Sequence, residues 1–245
     1  IIPVFNEVDG IKSTINSMNK LMHENQNISE IIFVDDGSTD GTSDIMSKEL
    51  SGIKKIYVVK HKTNKGYGAA LKTGIKKSNS DFVAITDSDE TYPNDRIPEL
   101  FSIFLDNDLD MIVGARTSKD AKIPWIRKPP KWALNKLANY LTEYKIPDLN
   151  SGLRIFKKST LERYIGILPN GFSFTTTITL AMLTNGDEVR YEEIDYFHRA
   201  GSSKIRPIYD TLNFTQLIIR TILLFNPLKV FLPIFFVLFL IGLLL

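Results

Sequence analysis

Short apolar runs rich in β-branched residues alternate, through the first half of the chain, with longer segments whose apolar positions recur every three or four residues. The first kind predicts buried strands and the second amphipathic helices. Ile1 to Val4 reads as the remainder of a first strand. Asp9 through Glu24, with Ile11, Ile15, Met18 and Met22 on one side, reads as the helix after it. Glu30 to Val34, Ile56 to Val59, Asp81 to Thr86 and Met111 to Gly114 predict four more strands. Helices are expected between them, from Asp40 or Thr42 to about Leu50, over Ala69 to Lys77, and over Pro93 to Asn107. This alternation predicts an α/β fold: a mostly parallel sheet flanked by helices on both faces, with right-handed crossovers.

The pattern weakens after Ala115. The stretch to Pro130 carries Arg116, Lys119, Lys122, Arg127 and Lys128 among prolines and Trp125. It fits a loop over a site or a membrane-surface contact, with a solvated linker as the default. A helix is expected over Lys131 to Thr142, then an acid and turn residues, Asp148 to Gly152, leading into a strand through Phe156. Thr175 to Asn185 predicts a helix despite its threonines, and Glu188 to Asp195 a strand. Tyr209 to Phe225 is amphipathic, and Val230 to Leu245 is almost wholly aliphatic or aromatic. These two segments predict a helix lying in the membrane interface and the start of a transmembrane helix, truncated where the sequence stops. The expected division is 1–206 for the globular domain, 207–227 for the interface helix and 228–245 for the span.

Composition narrows the chemistry. A net charge of +2 spread over 245 residues argues against nucleic acid as the main partner. Without cysteine there is no disulfide framework, thiolate nucleophile or cysteine-held zinc. The three histidines are scattered, so oxygen ligands are what remain for a metal.

The polar residues that follow the strands supply such oxygens. Asn6-Glu7, Asp35-Asp36, Lys65 with Gly66 and Gly68, and Asp87-Ser88-Asp89 all fall at carboxyl ends of predicted strands, where open α/β sheets bind ligands. Two carboxylates one residue apart can share a hard divalent cation that bridges to phosphates, or can simply cap the next helix. The glycines at 66 and 68 suit either backbone N–H groups turned to an anion or a plain turn. Gly-Tyr-Gly lacks the third glycine of a dinucleotide fingerprint, and a P-loop is absent.

Together, Ile2-Pro3-Val4-Phe5-Asn6-Glu7, Val34 through Thr42, Asn64-Lys65-Gly66-Tyr67-Gly68 and Asp87-Ser88-Asp89 resemble the family 2 glycosyltransferases, which have the GT-A nucleotide-sugar-binding fold. Asp148-Leu149-Asn150-Ser151-Gly152 and Arg199 through Lys204 look like the branch containing dolichyl-phosphate mannose synthase and the polyprenyl-phosphate glycosyltransferases. The resemblance implies that Pro3, Asn6, Glu7, Asp35 and Asp36 line the nucleotide pocket. It implies that Asp87 sits between nucleotide and metal and that Asp89 ligates Mg²⁺ or Mn²⁺. Thr91 occupies the position of a glutamine that often serves the metal too. Arg199 and Lys204 match cations that meet the diphosphate or the acceptor phosphate, with Lys65 and Arg116 as further donor-binding candidates.

The implied activity is membrane-associated and inverting. A hexose would move from GDP-mannose or a UDP-hexose to polyprenyl or dolichyl phosphate, with the catalytic domain on the cytosolic side. Asp148 would position an ionised lipid phosphate, or act as the base if the acceptor were a hydroxyl. A hydroxyl-directed glycosyltransferase and, more remotely, a nucleotidyltransferase are the competing expectations. The Gln-x-x-Arg-Trp motif of processive synthases is absent: Gln216 and Arg220 are one residue too far apart and no tryptophan follows.

Overall fold

The computed structural model describes residues 1–117, 136, 138–140, 142–171, 173–197, 207–225 and 227–244. Three parallel strands, β1 (Ile2–Val4), β2 (Ile31–Asp35) and β3 (Ile56–Lys60), lie in the order β3-β2-β1. Beside them run β4 (Phe82–Ile85), β5 (Met111–Ala115), β6 (Arg154–Lys157) and β7 (Val189–Glu193) in the order β4-β6-β5-β7. The Ile1 backbone joins the two groups, donating to Ala84 O at 2.7 Å and accepting from Thr86 N at 3.2 Å, the pattern of a parallel pair. The strands thus form one twisted layer, β3-β2-β1-β4-β6-β5-β7.

Among the described strands, only β6 runs against its neighbours, β4 and β5. Its direction follows from the chain path. Just before β6, Ser151 and Leu153 bond Gly114 at the carboxyl end of β5. Entering from the carboxyl edge, β6 must descend antiparallel. That leaves the Asp148–Gly152 turn level with the carboxyl ends of β1, β2 and β4.

Helices cover both faces. Helices α1 (Ile11–Glu24), α2 (Thr42–Glu49) and α4 (Ile97–Asp106) pack on one face around Ile2, Val4, Phe33 and Ile155. Helices α3 (Tyr67–Lys77), α5 (Lys158–Tyr164) and α6 (Phe174–Asn185) cover the other around Val83, Met111 and Phe156. The sequence gives no sign of α5, whose seven residues offer only Leu161 and Tyr164 to the core. Helix α6 forms despite its threonines because Thr175 through Leu183 are buried on every side. Tertiary burial outweighs the weak intrinsic propensity there.

Helix α7 (Pro207–Phe225) turns Ile218, Thr221 and Ile222 inward, and the two isoleucines join Leu149, Leu180 and Leu183 in the core. Part of the apolar stripe read as membrane-facing therefore seals the domain. Helix α8 (Leu228–Leu244) presents Phe231, Phe235 and Phe239 more than half exposed, with no polar face. Among the described residues no single helix is long and apolar enough to cross a membrane; Thr215–Leu224 and Leu228–Leu243 meet the criterion only as a pair bent by 105°. Lys229 ties the base of α8 to Glu143 at 2.7 Å.

Candidate active site

The end of β2 is held by its own carboxylates. Asp35, buried, accepts from Ser38 N at 2.9 Å and from the Ser43 hydroxyl. Asp36, also buried, accepts on Oδ1 from His61 Nδ1 at 2.6 Å and Lys65 N at 2.9 Å, and on Oδ2 from Gly66 N at 2.7 Å. The backbone amides expected to face an anion are thus turned inward onto Asp36. Gly66 and Gly68 are needed for a different reason. A Cβ at Gly68 would come within 2.2 Å of Pro169 O, and one at Gly66 within 2.5 Å of Asn170 O. These glycines let two backbones touch.

The first loop is locked to the second. Asn6, at φ 54°, donates its N–H to Ser38 Oγ at 3.0 Å and accepts from Thr39 N at 2.9 Å. Glu7 N donates to Thr42 Oγ1 at 2.9 Å, and Val8 N to Asp40 Oδ2 at 3.2 Å. Pro3 is buried in β1 opposite Val34. Lys65 is exposed on the rim.

Past β4, hydroxyl groups brace the two acids. Tyr67 donates its phenol to Asp87 Oδ1 at 3.0 Å. Thr91 is buried and donates its hydroxyl to Asp89 Oδ1 at 2.6 Å, closing a turn that passes through Glu90 at φ 54°. The threonine at the expected third-ligand position therefore orients a carboxylate. Burial, then the charge of Asp87, pushes the Tyr67 and Tyr92 phenols up, so both stay neutral at physiological pH.

The Asp148–Gly152 turn forms the facing wall. Asp148, 2% exposed, is gripped by Arg116 through Nε at 2.7 Å, Nη2 at 2.9 Å and the backbone N at 3.1 Å. Burial opposes the charge on Arg116, but the bond to Asp148 together with the electrostatic influence of Tyr92, Asp148 and Tyr196 more than offsets it and holds the group above its ordinary value. The guanidinium also lies 5.2 Å from the Tyr196 ring centroid and 6.0 Å from that of Tyr92. Tyr92 in turn accepts from Gly152 N at 2.7 Å. Gly152 abuts Asp87: a Cβ there would sit 2.8 Å from Oδ2 and 2.9 Å from Oδ1.

Strand ends and turn therefore bring Asn6, Glu7, Asp35, Asp36, Asp87, Asp89, Arg116 and Asp148 to one sheet edge. Arg199 and Lys204 lie outside the described residues, as does most of the basic segment 115–130 and of the helix expected over 131–142. Among the described residues no group of three or more acidic, histidine or cysteine side chains forms a complete metal cage. The oxygen donors Asp87 and Asp89, with the Cβ-free cradle at Gly152, fit a hard cation of the kind that one or two carboxylates hold together with substrate phosphates. Sequence reasoning missed Tyr67 and Tyr92 as orienting groups. Tyr67 lies inside the quoted glycine motif and Tyr92 directly follows Thr91, but nothing in the spacing shows where a phenol points.

An open α/β layer ordered β3-β2-β1-β4-β6-β5-β7, with acids after β2 and β4 and a polar turn before the reversed β6, defines a GT-A-fold glycosyltransferase. Residues 1–165 match glycosyl transferase family 2, and the chain belongs to that family. It is 33% identical over 181 residues to the UDP-N-acetylglucosamine–dolichyl-phosphate N-acetylglucosaminyltransferase of Methanococcus voltae, covering 66% of this chain and 70% of that protein. It is 29% identical over 166 residues to the dodecaprenyl-phosphate galacturonate synthase of Rhizobium johnstonii, covering 66% of this chain and 48% of the relative, so the match spans about half of that protein's length. Among solved structures, glucosyl-3-phosphoglycerate synthase of Mycobacterium tuberculosis, crystallised with Mn²⁺, UDP and phosphoglyceric acid, superposes with a TM-score of 0.67 at 20% identity, covering 91% of this chain and 75% of that one. That likeness carries the fold, which is the GT-A fold the sequence resemblance implied.

Proposed function

We propose that this glycosyltransferase moves a hexose from a nucleotide-sugar to a polyprenyl phosphate, with inversion at the anomeric carbon. The observation that carries the reading is the pair Asp87 and Asp89, each oriented by a hydroxyl, opposite a wall in which Asp148 is already clamped by Arg116. The first two relatives described above are both named for polyprenyl-phosphate acceptors.

In this reading the Asn6–Glu7 and Asp35–Asp36 loops, with Pro3 beneath, hold the nucleoside. Lys65 stands at the rim, and Asp87 and Asp89 bind Mg²⁺ or Mn²⁺. The cation supplies neutralisation of the charge that develops on the departing diphosphate. Arg199 and Lys204 are the cations this reading assigns to the diphosphate, while the charge of Arg116 is matched by Asp148. A phosphate monoester with a second pKa of ~6 is mostly ionised at neutral pH and attacks C1 without a strong base. Asp148 suits this assignment: engaged on both oxygens by Arg116, it positions rather than takes a proton.

A lipid acceptor also accounts for α8, an apolar helix whose Phe231, Phe235 and Phe239 are more than half exposed. A bilayer is the natural surrounding for such a helix. Arg220 and Lys229, on the domain side of it, favour a cytosolic catalytic domain.

The test uses full-length protein in membranes with polyprenyl phosphate, Mg²⁺ or Mn²⁺ and a panel of labelled nucleotide-sugars, scoring label that partitions into organic solvent. Label from one donor in a mild-acid-labile lipid, abolished by Asp89→Ala and by a chelator, is the expected result. Donor binding without lipid label from any donor refutes the acceptor assignment and turns attention to hydroxyls.

A further inference from the structure

Arg154 opens β6 and is completely buried. Among the described residues its guanidinium makes no ion pair. Its donors go instead to Ser151 O at 2.8 Å from Nε, Leu149 O at 3.1 Å from Nη2, and Thr179 Oγ1 at 2.5 Å from Nη1, with Met111 Sδ at 3.4 Å. Burying a cation without a carboxylate is costly, and burial pushes this guanidinium's pKa down. Leucine or methionine would fill the same volume more cheaply.

The contacts indicate what the charge does. Two of its four partners are carbonyls of the Asp148–Gly152 turn, and a third anchors that turn to α6 through Thr179. Everything the turn presents to the site depends on this underside. Asp148 grips Arg116, Gly152 N reaches Tyr92, and Gly152 abuts the Asp87 carboxylate. Asp148, Tyr67 and Tyr92 all lie close enough to exert a field on Arg154.

We propose that Arg154 is a positioning residue for sugar transfer: its planar fork, held between Leu149 O, Ser151 O and Thr179, sets the turn that carries Asp148 and Gly152. The inference rests on the glycosyl-transfer reading but not on the nature of the acceptor. The fork is what matters, because a lysine keeps the charge but cannot reach three acceptors in one plane. The effect falls on the transfer step more than on capture of the nucleoside, since Asn6, Asp35 and Asp36 sit on loops with which Arg154 shares no hydrogen bond.

The test compares full-length wild type, Arg154→Lys and Thr179→Val, the last leaving the charge intact and removing one anchor. Three readouts are taken: kcat and KM for the donor, scored both as lipid product and as donor hydrolysis; thermal stability; and amide exchange of peptides 148–153 and 31–35. In Arg154→Lys, kcat falls about tenfold or more while donor KM stays within about threefold. Exchange rises in 148–153 and not in 31–35. Thr179→Val gives a smaller change of the same kind. Unchanged kcat in the lysine variant overturns the proposal, as does equal loss of protection in both peptides with kcat tracking stability. Donor hydrolysis keeps the comparison readable should wild type label no lipid, a result that sinks the acceptor assignment alone.

Discussion

Gly152→Ala tests the geometry of the site with one methyl group. The added Cβ would meet Asp87 at 2.8 Å from Oδ2, 2.9 Å from Oδ1 and 3.0 Å from Cγ, where ordinary contact begins at 3.4 Å. The obstacle is the end of a side chain, so the carboxylate withdraws by about 0.6 Å rather than the strand moving. That shift weakens the bond from Tyr67, a contact to a charged group worth about 1.5–3 kcal/mol when fully lost, so stability falls by about 1 kcal/mol. Catalysis suffers more. A misplacement of about 1 Å at a reacting centre costs on the order of 100-fold, so a shift of this size predicts roughly a tenfold loss in kcat/KM. The assay pairs steady-state kinetics with Mn²⁺-dependent nucleotide titration and thermal melts, with Gly166→Ala as control because a Cβ there meets nothing within 4 Å. Wild-type turnover and nucleotide affinity in Gly152→Ala would refute the placement of Asp87 at the centre of the site. A large stability loss would equally show that strand, not carboxylate, had moved.

Three further outcomes follow from the same contacts. Arg116→Met takes the guanidinium from the buried Asp148 carboxylate and lowers the unfolding free energy by about 3 kcal/mol in urea titration, whereas Asp148→Asn costs less because the partly exposed Arg116 keeps an amide oxygen as acceptor. Burial tends to raise the Asp40 pKa, but bonds from Thr42 and Val8 more than offset this and hold it below the ordinary value. Its stabilisation is therefore present above the unfolded value of ~3.9 and fades as pH falls through the lower folded one, so melts of Asp40→Asn from pH 6 to 2.5 should show a flatter acid limb than wild type. Protein ending at residue 227 no longer sediments with liposomes if α8 is the membrane contact; undiminished sedimentation would place that contact on the domain.

Strands β1, β2 and β5 were legible because parallel strands buried on both faces read as unbroken apolar runs, and the partly exposed β3 and β4 keep enough of the same pattern; their order fixed which residues share an edge. Partnership was not legible. Asp36 and Asp87 look alike in sequence, each following an apolar strand. Yet Asp36 spends its oxygens on His61, Lys65 and Gly66, up to 30 residues away, while Asp87 meets Tyr67 and Gly152. Asp148 reads as a possible base until Arg116, 32 residues upstream, occupies it. The Arg154 fork is hidden for the same reason, since an arginine opening a strand looks solvated until its neighbours are known.

One sheet edge that gathers Asp35, Asp36, Asp87, Asp89 and Asp148 has to manage mutual repulsion. The fold does so unevenly. Asp36 is bonded by two backbone amides and an imidazole, and Asp148 is matched by a guanidinium. Tyr67 and Thr91 give Asp87 and Asp89 hydroxyl donors that orient them. A divalent cation held by two such carboxylates also bridges to substrate phosphates. Nucleotide and metal should accordingly bind with strong positive coupling, each tightening the other by the same factor. Calorimetric titration of UDP or GDP with and without Mn²⁺ measures that factor directly, and about tenfold or more is expected. Equal nucleotide affinity in EDTA would mean that cations elsewhere carry the diphosphate and that Asp87 and Asp89 serve only to shape the loop after β4.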